Sequence, residues 1–342
     1  MTNPATTNSA ALETLTNRET QDQVDFLSFS PDLPTRLTVI GSGAWGTALA
    51  KVSERSNHRV RLWSRSSSEP LDKAIAGAKV ILSAVSMKGV RSVVEQLQKL
   101  EIPEDIIFVT STKGLDPLTT CTPSQIWQEA FPNHPIVVLS GPNLSKEIMK
   151  ELPAATVVAS QNEQAAEIVQ ELFSCDSFRV YVNGDPIGTE LGGTLKNVMA
   201  IASGVCDGLQ LGTNAKAALL TRALPEMIRV GAHLGADPET FFGLSGLGDL
   251  LATCDSPLSR NYQVGYGLSQ GKTLEEILEN LVGTAEGVNT TNVLMKLADR
   301  EGIPVPISRQ VHRLLRGRIT PQEAVQALME RELKSEFCDL DL

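Results

Sequence analysis

The hexapeptide GSGAWG at 41–46 constrains this chain more than any other stretch. It comes after a short apolar, β-branched run starting at Leu37 (LTVI) and opens a helical pattern, AWGTALAKVSERS. A strand that turns at once into a helix leaves each glycine a physical task. Gly41 permits the tight turn, Gly43 lets the backbone approach a pyrophosphate, and Gly46 lets helix and strand pack closely. The helix N-terminus, at Ala44 and Trp45, then offers free N–H groups and a positive dipole end to phosphates. The same six residues also suit an ordinary strand–turn–helix, so the rest of the chain has to decide.

The alternation of strand and helix continues beyond this turn. Strands read at HRVRLWSR (58–65), AKVILSAVS (78–86), DIIFVTST (105–112), HPIVVLSG (134–141), ATVVAS (155–160) and FRVYVNG (178–184), with helical segments between several of them. Short apolar strands alternating with helices predict a parallel, doubly wound sheet. From Asp185 the pattern turns helical, over 188–204, 214–235, 273–282, 288–300 and 321–333. The reading is α/β: a Rossmann-like dinucleotide-binding domain over 35–187 and an all-α domain over 188–342. Residues 1–34 are rich in Ser, Thr, Asn and Pro and read as a disordered tail. They carry neither the apolar core of a signal peptide nor the acid-poor, Arg-rich bias of a transit peptide. The expected location is therefore cytoplasmic.

Charge and cysteine usage narrow the classes further. A formal net charge of −10 argues against non-specific binding to nucleic acid or an anionic membrane, though a local basic pocket can still take an anionic substrate. No apolar run approaches the roughly 20 residues of a membrane helix. Five scattered cysteines without a CxxC or a histidine cluster read as reduced core residues, with no disulfide framework and no metal site.

Four further stretches hold candidate chemistry. The second strand ends LWSRSSS, without the acid that usually holds a ribose 2′-OH. Arg65 and Ser64 suit a 2′-phosphate instead, which favours NADP(H) over NAD(H); the competing reading is an exposed strand-end charge. STKGL (111–115) and SGPN (140–143) each end a strand, so Lys113 and the Gly141 backbone should face the cleft. In GTELGGTLKNVMAIASG, Lys196 sits among Gly192, Gly193, Met199 and Ala200. It is either a snorkelling lysine or an ammonium projecting from a thin, closely approached helix face. Last, GLSGLGDLLATC (243–254) supplies one acid, Asp249, and SPLSRN (256–261) supplies Ser259, Arg260 and Asn261, donors suited to a phosphate.

With GSGAWGTALA, STKGL, LSGPNLSKE, GTELGGTLKNVMAIASG, NAKAALLTR, GLSGLGDLLATC, SRN and TAEGV in this order, the chain resembles the bacterial-type NAD(P)-dependent glycerol-3-phosphate dehydrogenases from Leu37 to about Arg331. The resemblance implies reduction of dihydroxyacetone phosphate to sn-glycerol 3-phosphate for phospholipid synthesis. It implies cofactor contacts at Ala44, Trp45, Arg65, Lys113, Ser145, Arg260 and Glu286. Lys113, Gly141, Asn143, Lys196, Asp249, Ser259, Arg260 and Asn261 would surround substrate, with Lys196 catalytic and Asp249 orienting its ammonium. A homodimer is compatible with this reading.

The chain departs from that pattern in four places. Only a dozen or so residues separate the second strand from AKVILSAVS, where the family has a longer stretch with an additional strand. Ser86 replaces a proline, Asn143 replaces Ser or Thr, and the N-terminal tail is an addition. Two other readings compete: a related β-hydroxyacid dehydrogenase, and a dinucleotide-binding sensor without catalysis. The SRN cluster and Asp249 count against the first. The intact set of Lys196, Asp249 and Arg260 counts against the second.

Overall fold

A computed structural model describes residues 35–333 and 335–336. The tail expected over 1–34 lies outside the described residues. The first half alternates as β1 (Arg36–Ile40), α1 (Ala44–Arg55), β2 (Arg59–Trp63), α2 (Leu71–Ile75), β3 (Val80–Ser83), α3 (Met87–Leu97) and β4 (Ile107–Thr110). It continues through α4 (Pro123–Ala130), β5 (Ile136–Ser140), α5 (Ser145–Ile148), β6 (Ala154–Ala159), α6 (Glu163–Phe173) and β7 (Phe178–Asn183). All seven strands read from the sequence are present, and they form one sheet of order β2-β1-β3-β4-β5-β6-β7.

One feature of the expected sheet is corrected. Strands β1 to β5 are parallel, but β6 pairs antiparallel with β5, and β7 then runs parallel to β6. A parallel connection needs a crossover of a dozen or more residues, usually a full helix. The residues between β5 and β6 (141–153) hold only the four-residue α5, no helix long enough to run back along the sheet, and β6 returns antiparallel.

The short segment after β2 does not interrupt the sheet. Trp63 Nε1 donates to Glu69 O at 2.8 Å and folds the loop back, and Thr38 Oγ1 donates to Ala74 O at 2.8 Å, tying α2 to β1. These bonds let β3 reach β1 directly, in register from Leu37↔Val80 to Ile40↔Ser83.

Beyond β7 the described residues are helical: α7 (Pro186–Gly208), α8 (Gly212–His233), α9 (Asp249–Cys254), α10 (Arg260–Ser269), α11 (Leu274–Asn280), α12 (Glu286–Glu301), α13 (Pro306–Leu315) and α14 (Pro321–Met329). Helices α9, α10 and α13 are additions to those read from the sequence. The 23-residue α7 runs through the centre with nearly every residue buried. Its small residues allow this. A Cβ on Gly204 would lie 2.1 Å from Tyr262 O, and one on Gly265 of α10 would lie 1.8 Å from Ile201 O of α7. Two helices in such backbone contact require glycine on both sides.

Candidate functional site

Because β1 to β5 are parallel, their carboxyl ends open along one edge of the sheet, where ligands of such folds bind. The turn after β1 matches the glycine reading. Gly41 has φ 120°, and a Cβ there would strike Ala84 O at 2.8 Å. A Cβ on Gly46 would strike Gly41 O at 1.9 Å. Gly43 differs: its Cβ would meet nothing within 4 Å, and no side chain caps the first turn of α1. An exposed glycine, open space and uncapped N–H groups together fit a dinucleotide pyrophosphate. Arg65 is exposed beyond edge strand β2, beside the hydroxyl cluster of Ser64, Ser66 and Ser67.

The lysine of α7 is not snorkelling. Lys196 is 6% exposed and its Nζ donates to Asp249 Oδ1 at 3.0 Å and to Thr253 Oγ1 at 2.5 Å. Lys113, from the end of β4, reaches the other oxygen of the same carboxylate: its Nζ lies 2.5 Å from Asp249 Oδ2 and 3.1 Å from Gly141 O. Asp249 itself is 2% exposed. Burial lowers the Lys196 pKa to about 8; the Asp249 charge opposes that shift and the Lys113 charge adds to it. One carboxylate shared by two ammonium groups leaves the cluster with a surplus positive charge while both lysines are protonated.

Two glycines make room for this cluster. A Cβ on Gly193 would lie 2.4 Å from Ser140 Oγ and 3.3 Å from Lys113 Cε, so the stem of Lys113 packs directly over α7. One on Gly192 would strike Ser245 O at 2.8 Å. That contact seats the π-helical turn Leu244–Gly248, which leads into α9 and delivers Asp249. Ser140 Oγ is buried beside Lys113 without a hydrogen-bond partner among the described residues.

Other expected residues fall around this centre in different ways. Asn261 is linked to the neighbour of Lys196: its Nδ2 donates to Asn197 Oδ1 at 2.8 Å, and its Oδ1 accepts from Gly287 N at 2.9 Å. These two bonds join α7, α10 and α12 and use one of its two amide N–H donors. Ser259 caps α10, accepting from Tyr262 N at 3.3 Å. The Arg260 guanidinium crosses the loop before α12, where a Cβ on Gly283 would lie 2.5 Å from Nη1. Glu286, the first residue of α12, accepts from Met87 N at 3.4 Å, and burial raises its pKa. Asn143 bonds to β6: Nδ2 donates to Ala155 O at 3.3 Å and Oδ1 accepts from Thr156 Oγ1 at 2.9 Å. The antiparallel course of β6 brings its first residues to this edge and makes those bonds available. Ser145 is half-buried at the start of α5.

Two polar residues missed in the sequence belong to the site, and a third lies on the same helix as Lys196. Thr253 lies one helical turn after Asp249 on α9 and donates to its Oδ1 at 3.1 Å; reading DLLATC as a helix would have paired them. Asn197 is the residue after Lys196. Glu190, also on α7, is 1% exposed and accepts from Ser124, and burial raises its pKa to about 7. The thiol of Cys254 is buried, and burial raises its pKa to about 12.

The described residues contain no helix long and apolar enough to cross a membrane. Against known families, residues 36–70 and 66–166 match the NAD-dependent glycerol-3-phosphate dehydrogenase N-terminus, and residues 185–326 match its C-terminus. The N-terminal match breaks at the shortened segment after β2. The glycerol-3-phosphate dehydrogenase (NAD(P)+) of Acaryochloris marina is 66% identical over 306 residues, 90% of this chain and 99% of that protein. Its namesake in Synechocystis is 65% identical over 311 residues, 91% of this chain and 98% of that one. The solved glycerol-3-phosphate dehydrogenase of Coxiella burnetii superposes with a TM-score of 0.83 at 35% identity, over 87% of this chain and 99% of that chain.

Proposed function

The chain belongs to the NAD-dependent glycerol-3-phosphate dehydrogenase family, and we propose that it reduces dihydroxyacetone phosphate to sn-glycerol 3-phosphate with Lys196 as the acid. The observation that carries this assignment is the buried Lys196 held by Asp249 and Thr253 beside Lys113. On this reading residues 35–187 bind the dinucleotide and 188–342 supply the substrate residues. Family membership sets aside the β-hydroxyacid dehydrogenase and sensor readings.

The nicotinamide dinucleotide supplies the hydride when bound. Gly41, Gly43, Ala44, Trp45 and Gly46 would hold its pyrophosphate, and Arg65 with the serines after β2 would hold a 2′-phosphate, which favours NADP(H). Arg260 and Glu286 would close over it from the helical side.

As hydride adds to the carbonyl carbon, the C=O electron pair moves to oxygen. An ammonium beside that oxygen stabilises the charge as it develops. Lys196 then passes a proton from Nζ to the oxygen, and solvent restores it. An ordinary lysine near 10.4 is a poor acid at neutral pH; one lowered to about 8 is better matched. Asp249 fixes the orientation of both lysines, and Thr253, one turn along the same helix, adds a second hold on Lys196. The non-reacting phosphate is suited to Arg260 and to the first-turn N–H groups of α10, a positioning contact that lowers the entropic part of the barrier. Asn261, tied to Asn197 and Gly287 by one donor and one acceptor, keeps a second amide N–H for that phosphate.

NADPH oxidation with dihydroxyacetone phosphate, run beside unphosphorylated dihydroxyacetone and a keto-acid substrate, tests the reading. Turnover of the phosphorylated ketone alone is the expected result; turnover of the keto acid, or none despite NADPH binding, would overturn it. A cytoplasmic supply of glycerol 3-phosphate for phospholipid synthesis is part of the same reading.

A further inference from the structure

The segment between β4 and α4 carries Lys113, and one face of α7 grips it at two points. Near its start, Gly114 N donates to Thr194 Oγ1 at 3.0 Å. Past its far end, Ser124 N donates to the two carboxylate oxygens of Glu190 at 3.0 and 3.2 Å, and Ser124 Oγ donates to Oε2 at 2.5 Å. Glu190 and Thr194 are four residues apart, so they lie one above the other on the same helix face. Lys196, two residues on, leaves α7 in a different direction and meets Asp249. A single helix therefore sets Lys196 directly and Lys113 through the segment it holds.

The chemistry of this grip is specific. Glu190 pairs with no cation among the described residues; its partners are the hydroxyl and first-turn N–H of Ser124 at the N-terminus of α4. Burying a carboxylate is costly unless its oxygens are hydrogen-bonded, so an apolar residue would brace two elements at less expense but would not fix their register. The fold carries a second copy of the device elsewhere. Glu226 of α8 accepts from Ile307 N at 2.8 Å, Ser308 N at 2.9 Å and Ser308 Oγ at 2.6 Å, capping α13 within the helical part. That copy touches neither lysine.

We propose that Glu190 and Thr194 are positioning residues for the reduction, holding the β4–α4 segment in the register that brings Lys113 to Asp249 beside Lys196. The proposal rests on the reading of these lysines as the groups that meet substrate. Neither residue contacts the reacting atoms; both act through Lys113.

Full-length T194V, T194S, E190Q and E226Q test it, by kinetics with dihydroxyacetone phosphate, NADPH affinity from fluorescence, melting temperature, and amide exchange over 113–116. Misplacing a group by about 1 Å costs on the order of a hundredfold. T194V and E190Q should therefore lose about tenfold to a hundredfold in kcat/KM, with NADPH affinity within about twofold of wild type. T194S restores the acceptor and should stay near wild-type turnover. E226Q should melt earlier yet keep its kcat/KM, which separates positioning from mere stability. The Gly114 amide should exchange faster in T194V and unchanged in E226Q. Wild-type kinetics in both T194V and E190Q, or an equal kinetic loss in E226Q, would overturn the proposal. A wild-type enzyme inactive on dihydroxyacetone phosphate would instead sink the parent reading. Exchange at Gly114 in T194V would then still decide the grip, since an unaltered rate refutes it.

Discussion

Lys113, from the end of β4, and Lys196, from α7, share one carboxylate, their Nζ atoms lying 2.5 Å and 3.0 Å from the two oxygens of Asp249. This arrangement makes the protonation of Lys196 depend on Asp249. The carboxylate supports the ammonium, while burial and the Lys113 charge oppose it. The reduction needs the protonated amine, so its kcat should fall as pH rises through about 8, and the reverse oxidation should rise over the same range. Asp249→Asn removes the negative charge that supports the ammonium and should move the alkaline limb to lower pH. A pH–rate profile for wild type and variant checks this; an unmoved limb would detach the limb from Lys196.

Removal of the amine itself is the more severe change. Lys196→Met keeps length and apolar packing but deletes the acid, and should lower kcat by about 10²–10⁴-fold. NADPH affinity should stay within about twofold, because the amine is assigned to the ketone and not to the cofactor. Near-normal turnover in this variant would mean that another group protonates the product.

Arg65, exposed just past the end of β2, is the cation assigned to a 2′-phosphate. Arg65→Ala should therefore weaken NADPH by about tenfold or more and leave NADH nearly unchanged, consistent with a lost charge-assisted contact. Titration of both cofactors against wild type and variant measures the difference. Equal losses would remove Arg65 from the specificity argument.

The glycine turn separates space kept for a ligand from space filled by the protein. Gly43→Ala meets no protein atom within 4 Å, at an ordinary φ of −70°, so its melting temperature should match wild type while NADPH binding falls sharply. Gly46→Ala drives a Cβ to within 1.9 Å of Gly41 O, a backbone atom. Overpacking of that kind costs about 1–3 kcal/mol or more, and this variant should melt earlier even without cofactor. Unchanged NADPH affinity in Gly43→Ala would show that the pyrophosphate lies elsewhere.

Glu190 gives a test by stability alone. Its folded pKa, about 7, lies above the ordinary 4.5, so between those values the folded chain binds more protons than the unfolded one. Its contribution to stability is fully present below about 4.5 and is lost as pH rises through about 7. Over that window the melting temperature of wild type should fall relative to that of Glu190→Gln, which cannot ionise; parallel curves would refute the shift.

Every strand, the dinucleotide turn and the two lysines are legible in the chain alone, because those signals are local. A β-branched run, a glycine where a Cβ cannot fit and a cation on a small-residue helix face can each be read within a dozen residues. Other features exist only once the chain has folded. The antiparallel direction of β6 goes with a connection from β5 that holds only a four-residue helix. The helix α10, with two glycines and weak by propensity, forms where Gly265 lets it lie against α7 and Gly267 makes room for Ile277 of α11. The bonds that Asn143 and Asn261 make to their neighbours, and the grip of Glu190 on Ser124, depend on partners brought together by packing. Lys113 and Asp249 are 136 residues apart along the chain, and Lys196 and Asp249 are 53 apart. No local pattern encodes such a distance; burial of α7 against both the sheet and the helices closes it.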